Sequence, residues 1–453
     1  MTLASVTSIM PLLLRITAGD FFERVKAGIG WKENRCIYSF GVVLTLMILQ
    51  RATGRKTLSR TVGLAVAVAR GQKGCPRLRR GRSLSSNTGA YSRARSRLTR
   101  AGVERAMEQM LEQLQQPERA GKPPPFYILD GSSVLLAHEP ELVEAFPPGR
   151  NQNGTSHWPV LKLVVAHQLT SGLASSPVWG PMYGPQAVSE QALAVPVMRG
   201  LPAGSVILGD CNFGVFSVAY QADQFGHSVL LRLTEARAKK LLGKLPLPGF
   251  QGPIQWVPSR DDRRSLPGLP RQACLEGRLI CRHLVRGAKT IRLYLFTTLP
   301  EAAAEELVAI YGERWNIELD IRSLKRSLNL HALTAKSESM VEKELLVGVM
   351  TYNLVRTVMV QAAAAANLSP RRLSFMRVLD VVETAAFRLA LATTDLQREQ
   401  IYAEVLQSAA QCRLPQRPQR RAEPRAVLQR PRGHPILKGS RQAAREKLMT
   451  PPG

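Results

Sequence analysis

The segment Tyr311–Lys325 carries polar side chains at a spacing that suits chemistry on a phosphodiester. On a helix advancing ~100° per residue, Arg314 lies at about 300° from Tyr311, Glu318 at about 340°, Lys325 at about 320° and Arg322 near 20°. Five polar side chains then share one stripe, while Trp315, Ile317 and Leu324 point elsewhere and can anchor the helix. A solvated face with i,i+4 ion pairs such as Glu318–Arg322 gives the same pattern, so the stripe acquires meaning only from carboxylates elsewhere in the chain. Two stand out. Asp130 follows the apolar run Phe126–Leu129, and the run Ser205–Leu208 ends on Gly209-Asp210, so each aspartate reads as a carboxylate at the exit of a strand. Three carboxylates meeting in this way suit hard divalent cations, which take oxygen ligands. Two such ions ~4 Å apart activate an attacking oxygen and stabilise the leaving one. The basic side chains of the stripe would then grip phosphates.

Positioning those acids takes a sheet and a helix, and the pattern supplies both. Short apolar, β-branched runs at 126–129, 161–165, 205–208, 228–233 and 291–297 form five candidate strands. From Pro300 the period turns helical, with one long pattern over 302–330 and a second over 341–366. The expected organisation is a helical N-terminal region over 1–115, the first part of an α/β core over 116–233, and a β-rich insertion over 234–290. The core's second part, with the Tyr311–Lys325 helix, follows over 291–385, and a C-terminal helix with a basic tail fills 386–453. The run of three prolines in Gln115–Pro125 marks the first boundary, because proline cannot continue a helix. Asp320, about 180° from Tyr311, faces away from the stripe.

Composition narrows the partners. The 453 residues hold 62 Lys+Arg against 34 Asp+Glu, a net charge of +28 that calls for a polyanion. Arg79, Arg80, Arg82, Arg93, Arg95 and Arg97 crowd one stretch with Tyr91 and a Ser/Gly-rich run at 83–89, a composition that contacts phosphates through Arg, Ser and backbone N–H groups. The six cysteines make no CxxC pair, which excludes a zinc ribbon and a disulfide scaffold and fits a reducing compartment. The apolar run 36–49 is too short to span a bilayer, and the longer one at 345–366 carries Asn353 and Arg356 mid-segment, so both read as buried helices. No membrane partner is expected.

The spacing Y-x2-R-x3-E-x6-K, met by Tyr311, Arg314, Glu318 and Lys325, resembles the signature of bacterial DDE transposases of the insertion-sequence-four type. The resemblance extends through YILDGSS at 127–133 and VILGDCNFG at 206–214, and more weakly through 83–98. It implies an RNase H-like mixed-sheet core interrupted by a β-rich insertion. Asp130, Asp210 and Glu318 would be the three catalytic acids binding two Mg²⁺ or Mn²⁺ ions. Tyr311, Arg314 and Lys325, with Arg322 beside them, would contact phosphates at the element's ends. The implied partners are double-stranded DNA, as terminal inverted repeats and target, and a second copy of the chain in a synaptic complex. The implied location is the cytoplasm, on the nucleoid. Arg79, Arg80, Arg82, Tyr91, Arg93, Arg95 and Arg97 would then belong to end recognition. One departure stands out: the family commonly has Arg-Gly-Tyr/Phe after the second acid, whereas Cys211-Asn212-Phe213 follows Asp210. That leaves a catalytically decayed, DNA-binding descendant as the alternative.

Overall fold

The apolar runs that precede the two aspartates become adjacent strands at the centre of a mixed sheet in the computed structural model. The structure describes residues 18–29, 37–54, 57–71, 85–115, 124–152, 154–286, 289–331 and 333–415, with Gln442 and Glu446. Arg79, Arg80 and Arg82, most of the Gln115–Pro125 linker and nearly all of the basic tail lie outside the described residues. Residues up to Leu414 pack as one unit, and Pro415–Gly453 form a second.

Nine strands are seen among the described residues: β1 (Phe126–Leu135), β2 (Pro148–Asn151), β3 (Gly154–Gln168), β4 (Val178–Pro181), β5 (Val206–Gly209), β6 (Ser228–Leu233), β7 (Gln251–Trp256), β8 (Leu275–Arg286) and β9 (Lys289–Thr297). Their order is β2-β3-β1-β5-β6-β9-β8-β7, with β4 also pairing with β3. β1, β5 and β6 run parallel, and β3 and β9 flank them antiparallel. The parallel strands read as continuous apolar runs because both of their faces are covered.

Side-chain alternation divides that sheet into two cores. Tyr127, Leu129, Ile207, Val229 and Leu231 face the helices at 190–199 and 216–224. Ile128, Val206, Leu208 and Leu230 face the other way, onto Leu307, Tyr311 and Ile317. Even-numbered positions of β1 and β5 therefore point toward the helical path that begins at Ala304.

That path departs from the single helix expected over 302–330. It is α-helical over Ala304–Gly312, tightens to a 3₁₀ turn over Glu313–Trp315, resumes α over Asn316–Arg322, and widens to π over Ser323–Ser327. Changes of winding of this kind cluster at functional positions, and they shift side chains off a uniform 100° wheel. Ile317 packs in the core that holds Ile128, and Leu324 in the core that holds Val134, so the path follows β1 along its length. It is pinned at the far end by Leu135 N–H to His331 O (3.1 Å) and Leu333 N–H to Leu135 O (2.9 Å).

The interval 234–290 does contain β7 and β8, but it also forms helices at Glu235–Leu242 and Arg260–Ser265. Its strands extend the central sheet through β9 rather than building a sheet of their own. The described helices of the first 115 residues share one apolar core with the helices at 338–365, 375–391 and 395–411. Glu338–Ala365 is long and apolar enough to cross a membrane, yet 89% of its most apolar stretch is buried inside the protein.

Polar groups explain how so apolar a helix is fixed in one register. Asn353 exchanges two 2.8 Å hydrogen bonds with the backbone of Ala174. Arg356 and Arg371 both grip the fully buried carboxylate of Asp320, Arg371 with two bonds of 2.7 Å, and Arg371 also reaches the carbonyls of Gln168 and Leu169. Burial alone would raise the Asp320 carboxyl; Arg356 and Arg371 outweigh it and hold it below the usual carboxylate range. Asp320 does face away from the stripe, as its position implies, and what it faces is the core. His167 lies edge-on to Tyr352 at 5.4 Å, and its burial drives the imidazole down to about 4, so it stays neutral.

Candidate active site

Asp130 and Asp210 are brought side by side by strand register. Ile128 pairs with Leu208 in the last rung of the parallel β1–β5 ladder, and Asp130 and Asp210 each follow two residues later. Both lie at even-numbered positions, on the face toward Tyr311 and Ile317. Asp210 stands just past the end of β5, as its sequence context implies. Asp130 does not sit at a strand exit: β1 runs on to Leu135, paired with β3, and Asp130 is opposite Val165. β5 stops at Gly209 while β1 continues to Leu135, so Asp210 lies beyond the carboxyl end of its strand. The crevice beyond the carboxyl ends of parallel strands is where α/β sheets place ligands.

The loop after β5 is tightly built. Asp210 Oδ1 accepts the Asn212 N–H at 2.8 Å, and the Asp210 carbonyl accepts from Phe213 and Gly214. Arg237 clamps the Cys211 and Gly214 carbonyls. Gly214 is required by space alone, since a Cβ there would stand 2.0 Å from the Arg232 carbonyl oxygen.

Electrostatics identify which groups share the crevice. Burial pushes the Asp130 carboxyl up to about 6; the 2.8 Å bond from Gly131 N–H opposes this, Asp210 adds to it, Arg314 opposes it and Glu190 adds to it. Burial also carries the Tyr311 phenol up to about 12, against the pull of Arg314 and Arg232. The Tyr311 hydroxyl is buried and has no hydrogen-bond partner among the described residues. Arg314 lies over the rings of Tyr311 and Trp315, 5.9 and 5.6 Å from their centroids, where cation–π attraction orients it beside the acids.

The structure thus gathers Asp130, Asp210, Tyr311 and Arg314. Glu318 is exposed on the helix that lies along β1, one turn past Arg314. Among the described residues no three His, Cys, Asp or Glu side chains are gathered closely enough to hold an ion, so Glu318 does not complete a three-carboxylate cluster here. Arg322 is exposed and Lys325 half-buried further along the same path. In the basic stretch, Arg93 and Arg97 face solvent, but Tyr91 and Arg95 do not. Tyr91 packs against Tyr38 in the core, and Arg95 pairs with Glu344 at 2.6 Å because their helices bury these faces against each other. Both are interior residues rather than DNA contacts.

Two groups at the crevice escaped the sequence reading. Arg232, on β6, acts on Cys211 and Tyr311, and its even-numbered place beside Leu230 in a recognisable strand was the available signal. Glu190 begins the helix 190–199 behind its Ser189 cap, and nothing in so ordinary a helix start distinguishes it.

The carboxylate pair itself suits a hard cation, because it offers oxygen donors only. The raised Asp130 carboxyl has a measurable consequence. A folded value near 6, against an ordinary 3.8, means that the native protein holds a stabilising proton in acid and loses that stability as pH climbs through 6. Asp130→Asn is expected to stabilise the metal-free protein by about 1–2 kcal/mol at pH 7.5, after discount for partial exposure, and to change nothing near pH 4. Urea unfolding in chelator at the two pH values checks this; equal effects at both would contradict it.

Residues 121–354 match the family described as the transposase DDE domain, over more than half of the chain. The chain is 26% identical over 318 residues to the transposase InsG for insertion sequence element IS4 of Escherichia coli (strain K12), covering 68% of each sequence. A solved piggyBac transposase synaptic complex with hairpin DNA aligns at a TM-score of 0.41 and 12% identity, over 88% of this chain and 85% of that one. The protein belongs to the DDE transposase family. Divalent metal ions are the general requirement of that family, and DNA is its substrate.

Proposed function

We propose that this transposase binds the terminal inverted repeats of its own element and cuts and joins DNA at their ends through Asp130, Asp210 and Glu318. The observation that carries this reading is the register that sets Asp130 beside Asp210 under the Tyr311–Glu318 path. The strand arrangement around β1, β3, β5 and β6 is what an RNase H-like core requires. Asp130 and Asp210 would hold Mg²⁺ or Mn²⁺, with Glu318 as the third carboxylate. Two such ions supply activation of the attacking oxygen and stabilisation of the leaving one. Arg314 and Arg232, on the same side of the sheet, neutralise the scissile phosphate. Arg322 and Lys325 hold the flanking strand, and Tyr311 offers its unpartnered hydroxyl to a phosphate. The protein works in the cytoplasm, on nucleoid DNA, with two copies pairing the two ends.

The test is cleavage of DNA carrying the element's terminal repeats, with Mg²⁺ and with chelator. Cleavage in Mg²⁺ alone supports the reading. End binding without cleavage would instead identify a decayed descendant. The phosphate contacts have their own signature: Arg314→Ala and Lys325→Ala should each weaken end binding and lower the slope of log affinity against log salt by about one. An unchanged slope in both variants would remove them from the DNA interface.

A further inference from the structure

Asp210 has a weaker hold on its own orientation than Asp130. Asp130 lies inside a paired strand, whereas Asp210 lies in a loop past the last rung of β5. What fixes that loop on the side away from Tyr311 is a chain of polar contacts starting at Asn212. Its backbone N–H donates to Asp210 Oδ1 at 2.8 Å. Its side-chain amide donates to the Glu190 carboxylate, and its side-chain oxygen accepts from Gln191 Nε2 at 2.7 Å. Gln191 Nε2 also reaches the Asn212 carbonyl at 2.8 Å. Both amide ends of Asn212 are therefore committed.

Glu190 carries the chain across to the first acid. Its carboxylate packs on Gly131, where an added Cβ would stand 2.3 Å from Glu190 Cδ and would displace the carboxylate. Gly131 is the residue whose N–H bonds Asp130 Oδ1. One side chain thus packs on the residue next to Asp130 and accepts from the side chain two residues past Asp210. Asn212 is exposed, and an exposed polar side chain satisfies itself with water at no cost. Several directed bonds converging on one exposed loop point to alignment rather than bulk stability. Glu190 also opens a helix, where the dipole favours its negative charge.

We propose that Glu190 and Asn212 are positioning residues that hold the Asp210 carboxylate in alignment with Asp130. This rests on the metal-dependent reading of the Asp130–Asp210 pair. Two readouts keep the two ideas separable, both on the full-length protein: Mn²⁺ binding by calorimetry without DNA, and cleavage of terminal-repeat DNA in Mg²⁺. Glu190→Ala and Asn212→Ala are each expected to weaken Mn²⁺ binding and slow cleavage by about tenfold or more, the scale of lost support around a metal site. The double variant should do no worse than either single one, because both break the same chain. Glu190→Gln keeps an oxygen that accepts from Asn212 and should stay within about threefold of the parent, a rescue that distinguishes alignment from charge. Melting temperature and end-binding affinity should not move.

Unchanged Mn²⁺ affinity in both alanine variants would overturn the proposal, as would additive losses in the double variant. A Glu190→Gln loss equal to that of Glu190→Ala would overturn it in favour of a direct charge role. A parent protein that binds Mn²⁺ but does not cut DNA would defeat the cleavage reading alone, and the Mn²⁺ comparison would still decide the alignment. A parent that binds no Mn²⁺ would overturn both.

Discussion

Alanine in place of Asp130 or Asp210 is expected to abolish cutting of DNA that carries the element's ends, by at least about a thousandfold. The two carboxylates each follow the last paired rung of β1 and β5 by two residues, and removing either leaves its partner half of the donor set that a hard cation needs. The cationic and aromatic side chains on the adjoining helical path are untouched by these changes, so end binding should persist. It should even tighten slightly at low salt, since a negative charge facing DNA has gone. Glu318→Ala is the informative companion. If Glu318 closes on the pair when ions and DNA arrive, its loss should match that of the aspartates; a variant cutting within a few-fold of the parent would exclude it from the reaction. Nicking of an end-labelled duplex in Mg²⁺, read beside a mobility-shift titration of the same duplex, separates cutting from binding. Full cleavage by either aspartate variant would refute the assignment.

Asp320→Ala, two residues further along the same helix, should behave in the opposite sense and cost about 3–5 kcal/mol of stability. Asp320 is fully buried and is the counter-charge of both Arg356 and Arg371. Truncating it leaves two guanidinium groups, one of them itself buried, without their counter-charge. It also frees the helical path from the segment at 168–174, which Arg371 and Tyr352 bind through the carbonyls of Gln168, Leu169 and Gly172. Glu318→Ala is the control for this experiment too: an exposed side chain away from such features should shift stability by no more than about 0.5 kcal/mol. Urea denaturation midpoints of the two variants check the contrast. Equal midpoints would mean that the buried network contributes nothing to folding. Neighbouring carboxylates on one helix are thereby assigned to catalysis and to folding by measurements that do not overlap.

The signature spacing, the apolar runs leading into Asp130 and Asp210, and the basic excess were enough to read the chemistry and the family from the chain alone. Those features are local: residue types at fixed offsets and strand-forming runs ending on carboxylates survive any arrangement of the rest. The five expected strands overlap β1, β3, β5, β6 and β9 for the same reason. What the linear pattern left open depends on partners far away in the chain. A uniform helical wheel could not show that the Tyr311–Ser327 path changes winding, because that follows from fitting its apolar side chains to β1. Tyr91 and Arg95 read as surface groups in a basic stretch, yet each is drawn inward by residues of other helices, Tyr38 for one and Glu344 for the other. Glu190 enters the crevice only because the helix it opens docks on the face of the sheet opposite Tyr311. Chemistry was legible because it resides in residue types; the choice between surface, core and site belonged to packing, which unites side chains that sequence distance keeps apart.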